Sequence, residues 1–321
     1  MRQTIAVTGA TGFIGQAICR QLLAEKYAVR VLVRHSQDTT LEVFDGAEIV
    51  PGNLENQDSL SRLVYGADAV IHCAGRVRGA TQAQFDRVNV DGTRNLLRAV
   101  KTTESGARLL LISSLAAREP QLSFYAASKQ GAEALLESDD HEIAWTIFRP
   151  PAVYGPGDRE MLPIFRLMAR GIAITPGSPA ARFSLLNVSD LSSAVIAWLR
   201  MDPPQRQIFE IDDGRTTGYN WYDVRDVVEE LCDRKIRVIR AAKWLLDLPA
   251  WINSRVGAVF GTSPMLTTQK LRELRHQDWV CDNSAFRQAA NWRPRISLSA
   301  GLRTTPNWAG YRSPATTVHA D

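Results

Sequence analysis

A short apolar run that ends in Gly9-Ala-Thr-Gly12-Phe-Ile-Gly15 and continues at once into a helical pattern constrains this chain more than any other segment. Thr4 to Thr8 suits a buried strand, and Ile14, Ala17, Ile18 and Leu22 recur at the spacing of an amphipathic helix. The glycines therefore fall on a strand-to-helix turn. Gly9 permits a tight turn, Gly12 lets the backbone approach a pyrophosphate, and Gly15 allows close packing of helix on strand. The helix N-terminus offers free N–H groups to an anion. The spacing is G-x-x-G-x-x-G rather than G-x-G-x-x-G, and a glycine turn without a cofactor has the same composition.

A second constellation lies further along. Ser114 follows an apolar run, and Tyr125-Ala-Ala-Ser-Lys129 places a tyrosine and a lysine four residues apart, on one helical face. Free tyrosine titrates near pH ~10. A lysine beneath the ring is expected to favour the phenolate, which fits the tyrosine for proton transfer near neutrality. A serine at a neighbouring strand end is placed to bond the substrate oxygen. Such Tyr–Lys pairs also occur as plain surface decoration.

The 321 residues suffice for one large α/β unit with an appended lobe. The net charge of +4 is dispersed, with no basic-aromatic stripe, so nucleic acid is not an expected partner. Cys19, Cys73, Cys232 and Cys281 are far apart and form no C-x-x-C pair, which suggests reduced thiols and a cytoplasmic location. A strand is expected almost at the first residue, so no signal peptide is expected. The five histidines show no metal spacing, so no metal is expected. The apolar segment 244–260 is interrupted by Asp247, Pro249, Asn253 and Arg255, which argues against a transmembrane span and for a helical lobe or interfacial patch.

Apolar runs alternate with helical patterns through the first half. Strands are expected at 29–33, 47–52, 69–75, 108–114 and 144–150. Helices are expected after residue 33, at 58–64 with Asp58 as cap, in one piece at 85–100, and at 125–136. The alternation predicts an α/β fold, a doubly wound parallel sheet whose ligands sit at the carboxyl ends of the strands. Gly9, Arg34, Asn53, Ala74, Ser114 and Pro150 all fall there. Residues 1–150 form the expected dinucleotide-binding unit, with 183–212 returning to it. Residues 151–182 and 213–311 form a smaller, mainly helical substrate lobe, with helices at 221–231, 267–274 and 284–290. Residues 312–321 read as a disordered tail.

Gly9-x-x-Gly12-Phe-Ile-Gly15, Cys73-Ala-Gly75, Asn89-Val-Asp-Gly-Thr93, Ser113-Ser114, Tyr125-x-x-x-Lys129 and Arg149-Pro-Pro-Ala-Val-Tyr-Gly155 stand in one order. Together with Phe183 to Asp190, Gly301-Leu302 and Trp308, this series resembles the extended short-chain dehydrogenase/reductase superfamily, the NAD-dependent epimerase/dehydratase group, over nearly the whole chain. The resemblance implies a Rossmann-type domain with a C-terminal substrate lobe. It implies Tyr125 as general acid/base, Lys129 lowering its pKa and holding the nicotinamide ribose, and Ser114 orienting the substrate oxygen. It further implies that Thr11, Gly12, Phe13 and Ile14 hold the pyrophosphate, that Cys73, Ala74 and Gly75 line the cofactor, and that Pro150 and Val153 border the nicotinamide. Asn53-Leu54 stands where the family usually has Asp-Leu beside the adenine, and the asparagine oxygen is expected to serve in its place. A homodimer through helices flanking the sheet is a family habit.

Arg34 ends the second strand 19 residues after Gly15, with His35 next. A cation there favours a 2′-phosphate, hence NADP(H) over NAD(H). Arg34 stacked on adenine or pointing to solvent is the competing reading. The expected function is an NAD(P)-dependent oxidoreductase that moves a hydride between nicotinamide and a carbonyl or secondary alcohol of a small, apolar substrate. The alternatives are a nucleotide-sugar epimerase or dehydratase and a non-catalytic cofactor-binding scaffold. Only ten residues, 115–124, separate Ser114 from Tyr125, fewer than in sugar-modifying relatives. The scaffold proteins often lack the Tyr–Lys pair. Trp221, Tyr222, Trp244, Trp251 and Phe260 suggest either an apolar substrate pocket or ordinary core. Asn89 is expected to order the site or to sit on a helix surface, Arg76 to reach substrate or solvent, and Asp190 to cap the next helix.

Overall fold

A computed structural model describes residues 2–34, 44–103, 106–139, 143–202, 206–260 and 267–309, without the side chains of 256–260. The expected helix after residue 33, His35, the Phe260 side chain and the tail 312–321 lie outside the described residues. Among these residues, β1 (Thr4–Thr8), β2 (Ala28–Val33), β3 (Glu48–Pro51), β4 (Ala69–His72), β5 (Arg108–Ile112) and β6 (Trp145–Arg149) belong to one sheet. After the short strands β7 (Ala152–Tyr154), β8 (Ile172–Thr175), β9 (Arg182–Phe183) and β10 (Leu185–Asn187), β11 (Gln207–Glu210) joins that sheet as well. Its order is β11-β6-β5-β4-β1-β2-β3, and every pairing is parallel. The chain reverses direction across the sheet between β1 and β4, where a doubly wound fold opens its binding crevice. The fold is Rossmann-like.

The inner strands are apolar on both sides because helices cover both sides. On one face α1 (Phe13–Ala24) and α7 (Val188–Arg200) pack with Val7, Ile71, Leu110 and Phe148. On the other, α2 (Gln57–Val64), α3 (Gln82–Asn89), α4 (Asp91–Thr102) and α5 (Phe124–Glu137) include Leu60, Leu96 and Leu136, which bury against Val70, Leu109 and Ile147. The expected single helix over 85–100 is thus two helices that meet at Val90. There the Asn89 carbonyl accepts from the Thr93 hydroxyl at 2.6 Å, and the Asn89 side chain is drawn to the backbone of Arg76. Asn56, rather than Asp58, caps α2, accepting from the Ser59 N–H at 2.9 Å. Asn187 caps α7, and Asp190 instead accepts from the N–H groups of Arg295 and Ile296 at 3.1 and 2.9 Å. That carboxylate fastens the returning C-terminal chain.

The remaining elements are α6 (Leu162–Ala169), α8 (Trp221–Cys232), β12 (Arg237–Arg240), α9 (Lys243–Phe260), α10 (Thr268–Arg275), β13 (Asp278–Trp279), α11 (Ser284–Ala290) and α12 (Leu298–Thr304). Strand pairs β7–β10, β8–β12 and β9–β13 are short and parallel. A third apolar cluster around Tyr154, Phe165, Met168, Val224 and Trp308 holds this part together. Trp244, Trp251 and Tyr222 are exposed rather than lining a closed pocket. Trp221 is in contact with Phe183, ring centroids 5.2 Å apart.

Candidate active site

The glycine turn is fixed by contact. Gly9 has φ +70°, and a Cβ there would stand 2.4 Å from the Ala74 nitrogen. At Gly15 a Cβ would stand 2.1 Å from the Gly9 carbonyl oxygen. Turn, helix and the end of β4 are therefore packed backbone on backbone, which only glycine permits. No side chain caps α1 at Gly12, which leaves its first N–H groups without a side-chain partner. This cradle suits a dinucleotide pyrophosphate. Thr11 accepts through its carbonyl from the Gln16 amide at 3.0 Å, and Phe13 touches Gly157.

Beside the turn, Cys73 and Ala74 continue β4 through bonds to Thr8. Gly75 faces Asn89 Oδ1 and Lys129 Nζ, 3.4 and 3.8 Å from where its Cβ would stand. The Lys129 ammonium donates to the Ile112 carbonyl at 2.8 Å. Burial pulls its pKa down to about 8, against the attraction of Glu133. Ser114, at the end of β5, accepts from Ala116 N–H at 3.2 Å and stands near the Tyr125 phenol, whose pKa it lowers. Pro150 is buried and accepts from Leu115 N–H at 2.8 Å, and Val153 packs on the core. Ser114, Tyr125, Lys129, Cys73, Ala74, Gly75 and Gly9 thus meet at one edge of the sheet.

The surroundings of the phenol reach beyond its own helix. Burial raises the Tyr125 pKa, Ser114 opposes the rise, and the charges that act on the ring are Glu273 and Lys270. Lys129 is turned toward the β5 carbonyl. Lys270 and Glu273, paired at 2.9 Å, come from α10. That helix is docked on the start of α5: Glu273 accepts from the Ser123 hydroxyl, and Gln269 accepts from Phe124 N–H at 3.0 Å. Neither residue stands out in the sequence, because an i,i+3 Lys–Glu pair decorates many surface helices.

A buried polar chain supports the site from below. Thr93 spends its hydroxyl proton on the Asn89 carbonyl, so it accepts from His72 Nε2 at 3.0 Å. His72 Nδ1 then accepts from the Thr8 hydroxyl at 2.6 Å. Burial and the Lys129 charge push His72 down to about 3, which keeps it neutral. Asn89 is buried, and its amide bonds the Ser128 hydroxyl at 2.8 Å; that hydroxyl donates to the Tyr125 carbonyl. Arg76 bonds the Arg78 carbonyl at 2.7 Å.

At the adenine end, Arg34 is exposed at the end of β2. The Asn53 oxygen accepts from Glu55 and Asn56 N–H groups at 2.8 and 3.1 Å, closing a turn. Leu54 packs over Gly92, and its carbonyl accepts from Asn95 at 2.9 Å.

Comparison with known proteins agrees with the fold. A curated relative, the ceramide reductase of Caulobacter vibrioides, is 36% identical over 96% of this chain and 94% of its own. A UDP-glucose 4-epimerase of Vibrio cholerae is 26% identical over 95% of each chain. Among solved structures, the UDP-glucuronic acid 4-epimerase of Bacillus cereus with NAD superposes with a TM-score of 0.74 at 19% identity, over 98% of this chain and 99% of that one. The model of the NAD dependent epimerase/dehydratase family matches residues 5–212. The chain belongs to that family.

Proposed function

We propose that this protein is an NAD(P)-dependent reductase of a carbonyl on a ceramide-type lipid, with Tyr125 as the proton donor. The observation that carries the reading is the Tyr125 phenol, near Ser114 and kept protonated by burial at the sheet edge that holds the glycine cradle. A protonated phenol is a donor, and reduction needs one. The substrate class rests on the similarity to the Caulobacter reductase.

Bound in the cradle, a reduced nicotinamide dinucleotide supplies the hydride for the carbonyl carbon. Ser114 holds the carbonyl oxygen, and Tyr125 donates its proton as that oxygen becomes a hydroxyl. Lys129 sits beside Gly75 and is placed to hold the ribose. Gly9, Thr11, Gly12, Phe13, Ile14 and Gly15 hold the pyrophosphate, with Cys73, Ala74, Gly75, Pro150 and Val153 along the cofactor and Asn53 and Leu54 at the adenine. Arg34 favours the 2′-phosphate of NADP(H). Residues 151–182 and 213–311 form the substrate lobe.

Replacement Tyr125→Phe is expected to cut carbonyl turnover by about 10²- to 10⁴-fold. Cofactor affinity, read by fluorescence titration, stays unchanged. Retained turnover refutes the assignment. In the same assay NADPH should be consumed one-for-one with product and in preference to NADH. Interconversion of UDP-sugars without net cofactor consumption would favour the epimerase reading instead.

A further inference from the structure

Helix α9 wears its apolar side outward. Trp244, Leu245, Leu248, Trp251 and Ile252 are 69, 50, 57, 53 and 46% exposed. At helical spacing these five fall within one arc of about 120°. Ala250, on the other side, is fully buried. The inner side is pinned to α10, where Thr268 N–H donates to the Ser254 hydroxyl at 3.2 Å and Asp247 pairs with Arg275 at 2.5 Å. The outer apolar arc therefore faces solvent because the helix is anchored that way round.

Its surroundings are basic. Residues 234–255 contain Arg234, Lys235, Arg237, Arg240, Lys243 and Arg255, against Asp247 as the one acid. Asp247 is turned to Arg275. The Arg255 guanidinium lies over the Trp251 ring, 5.6 Å from its centroid, within the same arc. The strand pair that leads into α9 pairs Ile172 with Arg237 and Ile174 with Ile239, all four exposed. Among the described residues no helix is long and apolar enough to cross a membrane. Tryptophans and aliphatic side chains on one face, rimmed by arginine and lysine, are the composition of a helix that lies in a bilayer interface.

We propose that α9 and the basic strand before it form a docking surface for an anionic phospholipid bilayer. Trp244 and Trp251 enter the boundary between headgroups and acyl chains, and the surrounding cations meet the lipid phosphates. Charge decides against a second copy of this chain, since a two-fold contact across this face would set like-charged rims against each other. The proposal stands on this surface alone and holds or fails independently of the carbonyl chemistry.

The test is co-sedimentation of the full chain with vesicles of phosphatidylglycerol and phosphatidylcholine, beside vesicles of phosphatidylcholine alone. The protein should pellet with the anionic vesicles and much less with the neutral ones, and added salt should release it. The double variant W244S/W251S should bind at least about tenfold more weakly. Each of R240Q, K243Q and R255Q should weaken binding to anionic vesicles by roughly fivefold. These side chains are exposed, so the fold tolerates the changes, and the charge series reads the surface without touching the tryptophans. Binding to neither vesicle, or equal binding by parent and variants, overturns the proposal. So does a dimer in sedimentation velocity that W244S/W251S converts to monomer without any vesicle binding by the parent.

Discussion

Lys270 reaches the Tyr125 phenol from a helix far along the chain, and it shares that space with Glu273 and with Glu160, itself paired with Arg78 at 2.5 Å. Its charge lowers the phenol's pKa against the burial that raises it. K270M should therefore shift the alkaline limb of the kcat/KM profile for reduction upward and slow the reaction, because a weaker acid gives up its proton less readily. K270R keeps the charge and should restore the parent profile. An unmoved limb in K270M would show that Lys270 has no influence on the proton. Residue types at fixed spacing were enough to bring Ser114, Tyr125 and Lys129 together from the sequence. They were not enough to show that a second lysine, Lys270, lies near the ring, since that depends on how α10 docks on Ser123 and Phe124.

Helix α5 stacks Tyr125, Lys129 and Glu133 at successive turns, and the last of these fixes the helix to the sheet. Glu133 is 1% exposed; it accepts from Arg149 Nε at 3.1 Å and from the Ser113 hydroxyl. Removing one partner of a buried pair strands the other, so E133Q should cost about 3–5 kcal/mol in urea unfolding. E133M/R149M removes both charges and should recover much of that loss. If E133Q unfolds like the parent, the pair does not anchor α5. The inner sheet was legible because runs such as Leu109 to Ile112 are buried on both faces and have no other way to be satisfied. Strands of two residues, such as β9 and β13, were not, since they carry no pattern and exist through pairing. The break at Val90 was equally hidden, because the side-chain bonds of Asn89 that accompany it run to a loop 13 residues away.

For the whole molecule, the neutral His72 sets a pH dependence. Its folded pKa of about 3 lies below that of an unfolded histidine, ~6.5. Between these values the unfolded chain takes up a proton that the folded one refuses, so stability falls as pH falls through this window. The contribution at pH ~5 is about 2 kcal/mol. H72Q lacks it, so the stability lost between pH ~7 and ~5 should be smaller in the variant than in the parent. Identical slopes in urea unfolding would refute the neutral, doubly bonded histidine. The comparison must be between the two proteins, because Asp212, pushed up by burial to about 6, acts in the opposite sense over part of the same range.

The docking of α10 also links two properties that would otherwise vary independently. The helix whose charges act on the phenol belongs to residues 213–311, the substrate lobe in the function proposed above. A change of diet in this scaffold therefore brings a change of working pH with it. Variants selected for a new substrate through residues 267–279 should be found with displaced pH optima even where Ser114, Tyr125 and Lys129 are untouched.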